Sequence, residues 1–383
     1  MSNHFTYDYI IAGSGCAGLS LAVQLKRSGI SFHKVLIIDQ EIKNKNDRTW
    51  CFWTNQPINW FDEIVYKRWD KFKFKSNHLD MELHLKPYHY LLVKGLDFYT
   101  YCLNELQDDT RFEFVTDEIS QIYTHDNLGI VKTKSTTFQA AYVFNSALRV
   151  HNIKNHHINY VQHFKGFVVE TEKECFDEDC PTFMDFSVEQ YNDCRFVYVI
   201  PYSKTKALIE YTGFSKTVLS DEQYDIELNN YINTILKLEN YNILQVEKGL
   251  IPMAESKFIN PFGSHVINIG TAGGFSKPST GYTFYFIQER TKKIIENLKQ
   301  GNKPDSSSQQ SNRHRYYDKI LLDVMDKKKI LPKTIFEILF QKNKVSELLS
   351  FLNEESSITQ DLKIMNSVPK LKFIPSAFKK ILR

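Results

Sequence analysis

The segment that most restricts the fold is Gly13-Ser14-Gly15-Cys16-Ala17-Gly18, set between the apolar run Tyr7 to Ala12 and the helical pattern Leu19, Leu21, Ala22, Leu25. Gly29 ends that helix, and a second buried-strand run, Val35-Leu36-Ile37-Ile38, closes on Asp39. Strand, G-x-G-x-x-G, helix, strand and acid thus follow in order, with Asp39 21 residues beyond Gly18. That is the dinucleotide-binding fingerprint. Gly13 permits the tight turn, Gly15 lets backbone approach a pyrophosphate, and Gly18 allows close helix-to-strand packing. The helix N-terminus, with Ala17 in its first turn, offers free amides and partial positive charge to the phosphates. Asp39 is placed to accept hydrogen bonds from a ribose and would repel a ribose phosphate, which favours FAD or NAD over NADP.

A second glycine-rich junction follows far along the chain. His265 to Gly270 reads as a buried strand, then come Thr271-Ala272-Gly273-Gly274 and Pro278-Ser279-Thr280-Gly281-Tyr282, predicted to open a long helix through about Leu298. This junction resembles the late FAD motif of flavoproteins of the aromatic-hydroxylase type. A single-nicotinamide dehydrogenase has no use for it, so FAD is preferred to NAD. The strand Tyr142 to Ser146 ends in small polar residues, suited to another backbone approach to the dinucleotide. Arg48 stands beside Trp50 and Trp53. Two readings of it stand: a contact to flavin phosphates or a pocket lining, and a surface arginine next to core aromatics.

Charge and cysteine usage exclude several classes. The 48 Lys and Arg nearly balance 45 Asp and Glu, a net charge of +3, too little to neutralise a nucleic-acid backbone. The six cysteines form no C-x-x-C pair to complete a zinc ligand set, so no metal site is expected. Met1 to Tyr9 lacks the features of a secretory leader, and a cytoplasmic, reducing compartment is expected. No apolar run approaches the ~20 residues of a membrane span.

From about Gln162 the pattern becomes period-two and aromatic. Arg195 to Pro201 and Ala207 to Thr212 read as antiparallel strands joined at Ser203 to Lys206. Such a sheet either floors an apolar substrate cavity over the cofactor or packs its aromatic face on helices alone. Residues 301–312 (GNKPDSSSQQSN) form a low-complexity linker. A mainly helical tail follows. Its end, Pro369 to Arg383, carries five Lys or Arg and no acid, interleaved with Leu371, Phe373, Ile374 and Phe378. That stretch suits an anionic bilayer surface, or equally a packed terminal segment with a solvated face.

Several blocks together resemble the lycopene cyclase family, specifically the bacterial β-cyclases. They are IIAGSGCAGLSLA from Ile10, DRTWCFW at 47–53, QHFKG at 162–166, PTFMDF at 181–186, RFVYVIPYS at 195–203, ALIEYT at 207–212, EKGLIPM at 247–253 and IGTAGGFSKPSTGYTF from Ile269. FMDF, LIE-x-T and GGF-x-KP-x-TGY carry the specificity.

The resemblance implies cyclisation of the ψ ends of lycopene to β-ionone rings, through γ-carotene to β-carotene. It implies FAD in reduced form with no net redox change, and NAD(P)H as electron source. Glu210, the acid of LIE-x-T, is the expected proton donor or cation stabiliser, and Asp185 of FMDF the second candidate, as stabiliser or base. Tyr211 stands where the family commonly carries a second acid. Gly13, Gly15, Ala17, Gly18, Asp39, Arg48, Gly270, Gly273, Gly274 and Gly281 are the expected cofactor contacts. Trp50, Phe183, Phe186 and Tyr282 are the expected substrate lining. The expected partners are acyclic carotenoids, a membrane surface and other enzymes of the carotenoid pathway, with peripheral attachment to the inner membrane. A flavin monooxygenase or isoprenoid reductase of the same architecture is the competing reading.

The expected fold is α/β: a Rossmann-like FAD-binding domain of the aromatic-hydroxylase type, an interleaved antiparallel substrate domain and a helical C-terminal region. The expected divisions are 1–80, 100–160 and 262–300 for FAD; 81–99 and 161–261 for substrate; 301–312 as linker; and 313–383 as the helical region with membrane contact.

Overall fold

A computed structural model describes residues 5–58, 60–147, 160–253, 260–305 and 312–381. The first part of the chain forms β1 (Phe5–Ala12), α1 (Cys16–Arg27), β2 (Val35–Asp39), β3 (Thr49–Thr54), β4 (Val65–Trp69), β5 (Lys71–Ser76) and β6 (Leu79–His84). Next come β7 (His89–Lys94), α2 (Gly95–Gln107), β8 (Phe112–Thr116), β9 (Ile119–His125), β10 (Leu128–Thr133) and β11 (Thr137–Asn145). The middle supplies β12 (Tyr160–Thr171), β13 (Thr182–Asp185), β14 (Cys194–Ser203), β15 (Lys206–Ser215), α3 (Asp221–Asn230) and β16 (Tyr241–Met253). The chain finishes with β17 (Val266–Asn268), α4 (Phe284–Lys299), α5 (Asn312–Asp326), α6 (Pro332–Lys342), α7 (Val345–Leu352), α8 (Ile358–Ser367) and α9 (Lys370–Ile381).

The apolar runs of β1 and β2 are buried on both faces, as parallel strands sandwiched by helices must be. The sheet runs β8-β2-β1-β11-β10-β9, with β17 parallel to the end of β11. Leu19, Leu21, Ala22 and Leu25 of α1 are fully buried, and α1 packs beside α4. Gly18 is required here: a Cβ would lie 1.9 Å from the carbonyl oxygen of Gly13. The carboxyl ends of β1, β11 and β17 bring Gly13, Ser146 and Gly270 to one edge, where ligands of open α/β sheets bind.

The second sheet runs β16-β12-β15-β14-β13-β5-β6. Alternation, interrupted by register shifts in β13 and β12, sorts its side chains. Phe167, Val197, Val199, Ile209 and Tyr211 pack with Tyr224, Leu228 and Tyr231 of α3 and the turn after it. Phe72, Phe74, Phe183, Phe186, Phe196 and Phe214 face the other way, against Leu322, Phe336, Phe340 and Leu349 of α5, α6 and α7. At about 1.5–3 kcal/mol per buried ring, this face is a large share of the core's stabilisation. The third sheet, β3-β7-β4, lies between the other two in the chain's path.

Three expectations change. The division at residue 80 falls inside β6, and β5 already belongs to the second sheet, pairing in parallel with β13. Residues 89–94, expected with the substrate sheet, instead pair with β3 and β4. The late helix begins at Phe284, not near Pro278. Residues 277–282 close a turn of their own, with Lys277 N–H donating to Tyr282 O at 2.8 Å and Gly281 N–H to Lys277 O at 2.8 Å. Gly281 has φ +73° there, and its position leaves no room for a Cβ beside Gln162. The buried Lys277 ammonium anchors this turn on Asp318 of α5 (3.0 Å) and on Glu354 (3.1 Å). Of the expected linker, residues 306–311 lie outside the described residues, and Asn312 already begins α5.

Candidate active site

Three cavities abut one another. The widest, about 1070 Å³, lies at the carboxyl edge of the first sheet and is lined by Gly13, Gly15, Ala17, Asp39, Arg48 and Gly270. A 270 Å³ chamber follows, sharing Arg48, Trp50, Thr271 and Thr283 with it and bounded by Gln162, Glu210, Gly281 and Tyr282. Beyond Tyr198, Thr280 and Tyr282 opens a 390 Å³ cavity, overwhelmingly apolar, running between Phe183, Phe336, Phe340 and the helices α5 to α9.

The first cavity fits a dinucleotide. Gly13 has φ +106°, and a Cβ there would lie 2.2 Å from Ser146 Oγ. Nothing stands within 4 Å of where a Gly15 side chain would be, so that backbone is open to a ligand. Asp39 holds the glycine turn in shape, one carboxylate oxygen accepting from Ser14 N–H at 2.7 Å and Ser14 Oγ–H at 2.9 Å. Lys43 sits 3.4 Å from its other oxygen. Carboxylate oxygens have lone pairs to spare for a ribose hydroxyl. Arg48 stands at the rim between the first two cavities, its guanidinium donating to the Lys248 carbonyl at 3.3 Å. Gly18, Gly273 and Gly274 line none of the three cavities. Gly18 serves packing. A Gly273 Cβ would lie 2.3 Å from the Asn268 carbonyl, and Gly274 turns the chain with φ +70°.

Glu210 projects from β15 into the middle chamber and is 9% exposed. Burial raises its carboxyl well above the ordinary range, and the charge of Glu247 raises it further; the Thr212 hydroxyl, donating at 2.9 Å, opposes both. Desolvation is the larger effect, since the side chain is buried among Tyr90, Tyr198, Ile200 and Leu208. Glu247 of β16 lies behind Glu210, 3% exposed, and its oxygen accepts from Thr49 Oγ1–H at 2.8 Å. Burial raises its carboxyl too. The two glutamates are hydrogen-bonded to each other.

Asp185 lies elsewhere. It is fully buried, but on the α3 side of the sheet, paired with Val197, while Glu210 pairs with Tyr198 on the opposite face. Its oxygens accept from Tyr231 O–H at 2.7 Å and Ser187 N–H at 2.8 Å. Strand alternation thus removes it from the chamber as either base or stabiliser. Phe186 is also displaced: it sits in the packed core, its ring 5.6 Å from Phe336, and lines none of the three cavities. Trp50 lines the first two cavities, Phe183 the third, and Tyr282 the second and third. Phe183 and Tyr282 lie parallel at 6.4 Å, and Tyr282 meets Trp53 edge-on at 4.5 Å.

Glu247, Gln162, Tyr198 and Lys277 escaped sequence reasoning. All lie in the quoted blocks EKGLIPM, QHFKG, RFVYVIPYS and GGFSKP, so the signal was there as position but not as chemistry. A protonated carboxyl in the wall of such a chamber can deliver a proton to a weakly basic, apolar ligand. The apolar cavity beyond it can take up an apolar chain. Among the described residues there is no group of His, Cys, Asp and Glu suited to a metal.

The family model described as lycopene cyclase protein matches residues 8–377. A lycopene beta-cyclase of Paracoccus sp. is 24% identical over 295 residues, 74% of this chain and 72% of that protein. Among solved structures, a geranylgeranyl bacteriochlorophyll reductase-like protein of Thermoplasma acidophilum superposes with TM-score 0.66 at 13% identity, covering 99% of each chain. A flavin-dependent brominase does so with TM-score 0.58 at 12% identity, over 97% of this chain and 92% of that one. The chain has the fold of these flavoproteins.

Proposed function

This chain belongs to the lycopene cyclase family, and on that premise we propose that it converts the ψ ends of lycopene into β-ionone rings, an isomerisation without net redox change. The observation that carries this reading is Glu210, held in its acid form at the junction between a dinucleotide-sized cavity and an apolar one. An alkene is far less basic than any side chain, so its protonation needs a retained acid in a dry site.

Glu210 gives its proton to the terminal double bond. The resulting tertiary cation is attacked by the next alkene, which closes the six-membered ring. The second cation then loses a neighbouring proton. Trp50 and Tyr282 confine the reacting end, and their ring faces attract positive charge. Phe183 and the aromatics of α6 hold the rest of the polyene. Gly13, Gly15, Ala17, Asp39, Arg48 and Gly270 would hold FAD, which in a reduced form maintained by NAD(P)H would supply negative charge to stabilise the cation.

The apolar cavity reaches Lys370, Phe373, Ile374 and Ala377 of α9. Leu371 (87% exposed) and Phe378 (65% exposed) point outward on the same helix. Among the described residues no helix is long and apolar enough to cross a membrane. A basic, apolar helix over the cavity's outer end supports peripheral attachment to the cytoplasmic face of an anionic membrane, from which the polyene enters.

The test is expression in lycopene-accumulating cells with chromatography and mass analysis of the pigments. Cyclic carotenes of unchanged mass are expected, with one deuterium per ring in heavy water. Gain of oxygen, or of two hydrogens, would instead mean a monooxygenase or a reductase.

A further inference from the structure

Glu247 has no part in the chemistry above, yet it is the residue the fold places against Glu210. Gly166 of β12 pairs on one side with Glu210 of β15 and on the other with Glu247 of β16, so the two glutamates share a sheet face with a bare backbone between them. A Cβ at Gly166 would lie 3.3 Å from Glu210 Cβ and 3.4 Å from its Cγ, filling the gap across which the side chains meet. Glu247 is fixed from the far side by Thr49 Oγ1, which is itself 3.3 Å from Tyr202 Oη. It lines none of the three cavities, so it acts through Glu210 and not on the substrate.

We infer that Glu247 is the positioning residue that sets the proton state of Glu210: the two carboxyls hold one proton between them, and the negative charge left on Glu247 keeps Glu210 loaded until the alkene takes its proton. This rests on reading Glu210 as the proton donor. The protons balance. The resting pair carries one proton and one negative charge; transfer forms a C–H bond on the alkene and leaves both carboxylates charged beside the cation. When the ring cation gives up its neighbouring proton, that proton returns to Glu210 and restores the pair.

The other titratable groups around the pair do not replace it. Tyr198 and Tyr202 of β14, Tyr90 of β7, Tyr282 and Cys51 of β3 are all neutral, each shifted upward by burial. Lys94 of β7 sits over the Tyr202 ring at 4.9 Å. Arg48 favours the charged form of Glu247, but it stands at the rim with Asp47 3.9 Å away, and Asp47 acts in the opposite sense. Tyr224, which also feels the charge of Glu210, packs on the α3 side of the sheet.

The experiment compares wild type, Glu247→Gln and Glu247→Asp in flavin-loaded form. Turnover of lycopene in anionic vesicles is followed from pH 5.5 to 9, and the Glu210 carboxyl is titrated by its infrared C=O band, identified by its loss in Glu210→Gln. In Glu247→Gln the alkaline limb of kcat/KM and the infrared midpoint both move to lower pH by about one unit, so the rate deficit grows about tenfold between the acid and alkaline ends. Glu247→Asp keeps the charge and leaves the midpoint near wild type even where turnover falls. A loss by one factor at every pH, or an unmoved infrared midpoint, overturns the inference. The infrared titration needs no substrate. A wild type that forms no cyclic carotene therefore fails the functional proposal and leaves this one still decided.

Discussion

Glu210 and Glu247 reach each other across β12, each paired with Gly166 from its own side, and both carboxyls are raised by burial. Two acids that are far apart in sequence and two strands apart in the sheet form one proton-holding unit. What makes the contact possible is the absence of a side chain at residue 166. This relationship ties the fold's register to the chemistry proposed for the site.

The raised carboxyl of Glu210 has a stability consequence opposite to its catalytic one. Its folded-state pKa lies above the unfolded value, so the folded chain binds more protons between the two. Stability therefore falls as pH rises from the ordinary carboxylate range through the raised value. Glu210→Gln should lower turnover by about a hundredfold or more with FAD retained. It should also raise Tm near pH 8, an advantage that disappears below about pH 4. Thermal melts at both pH values, with flavin absorbance, check this.

Gly166→Ala puts a methyl group 2.8 Å from Leu208 Cδ1 and into the space between the acids. Overpacking of that kind costs about 1–3 kcal/mol. We expect turnover to fall further than this loss explains, since the carboxyls are forced apart. Denaturant melts and pigment assays on one preparation separate the two effects.

Asp185 holds Tyr231 and the Ser187 amide on the far face of the sheet. Asp185→Asn preserves volume and can still accept from the Tyr231 hydroxyl, so kcat should stay within about threefold of wild type. Asp185→Ala leaves those buried donors unpaired and should cost about 1–3 kcal/mol. A loss of kcat in the Asn variant comparable to that of Glu210→Gln would return Asp185 to the mechanism.

Lys277 is buried between Asp318 and Glu354, and burial of the ammonium is outweighed by these two charges, which together raise its pKa. Lys277→Met strands two acids in the interior, at a cost of about 3–5 kcal/mol. It also frees the turn that carries Thr280, Gly281 and Tyr282. A large drop in Tm together with weakened FAD retention is expected, checked by melting and gel filtration.

Leu371→Asp with Phe378→Asp places charge on the outer face of α9 without touching the sheets. Co-sedimentation with anionic vesicles should fall at least about tenfold, and wild-type binding should weaken at high salt. Turnover of detergent-dispersed lycopene should change little. Unchanged vesicle binding would remove α9 from membrane attachment.

How much of this was legible in advance follows from the range over which each signal acts. The β1-turn-α1-β2 unit and Asp39 were written in adjacent residues, because a strand, a glycine turn and a helix are each set by local periodicity and backbone freedom. Glu210 was legible as an acid among apolar neighbours, and the role proposed for it comes from the LIE-x-T resemblance. The start of α4 was misread because Pro278 looks like a helix opening, whereas the salt bridges of Lys277 to Asp318 and Glu354 hold that stretch as a turn.

The sequence by itself determined a dinucleotide-binding α/β half, an aromatic antiparallel half and an acid at residue 210. Only the tertiary structure decided which acids meet. Side chains on a strand alternate between faces, so Asp185 and Glu210, both in quoted motifs, fall on opposite sides of one sheet, while Glu247 is carried to Glu210 by the register of β12 with its two neighbours. Register is fixed by burying one whole face at once, a property of the assembled sheet that no single strand contains.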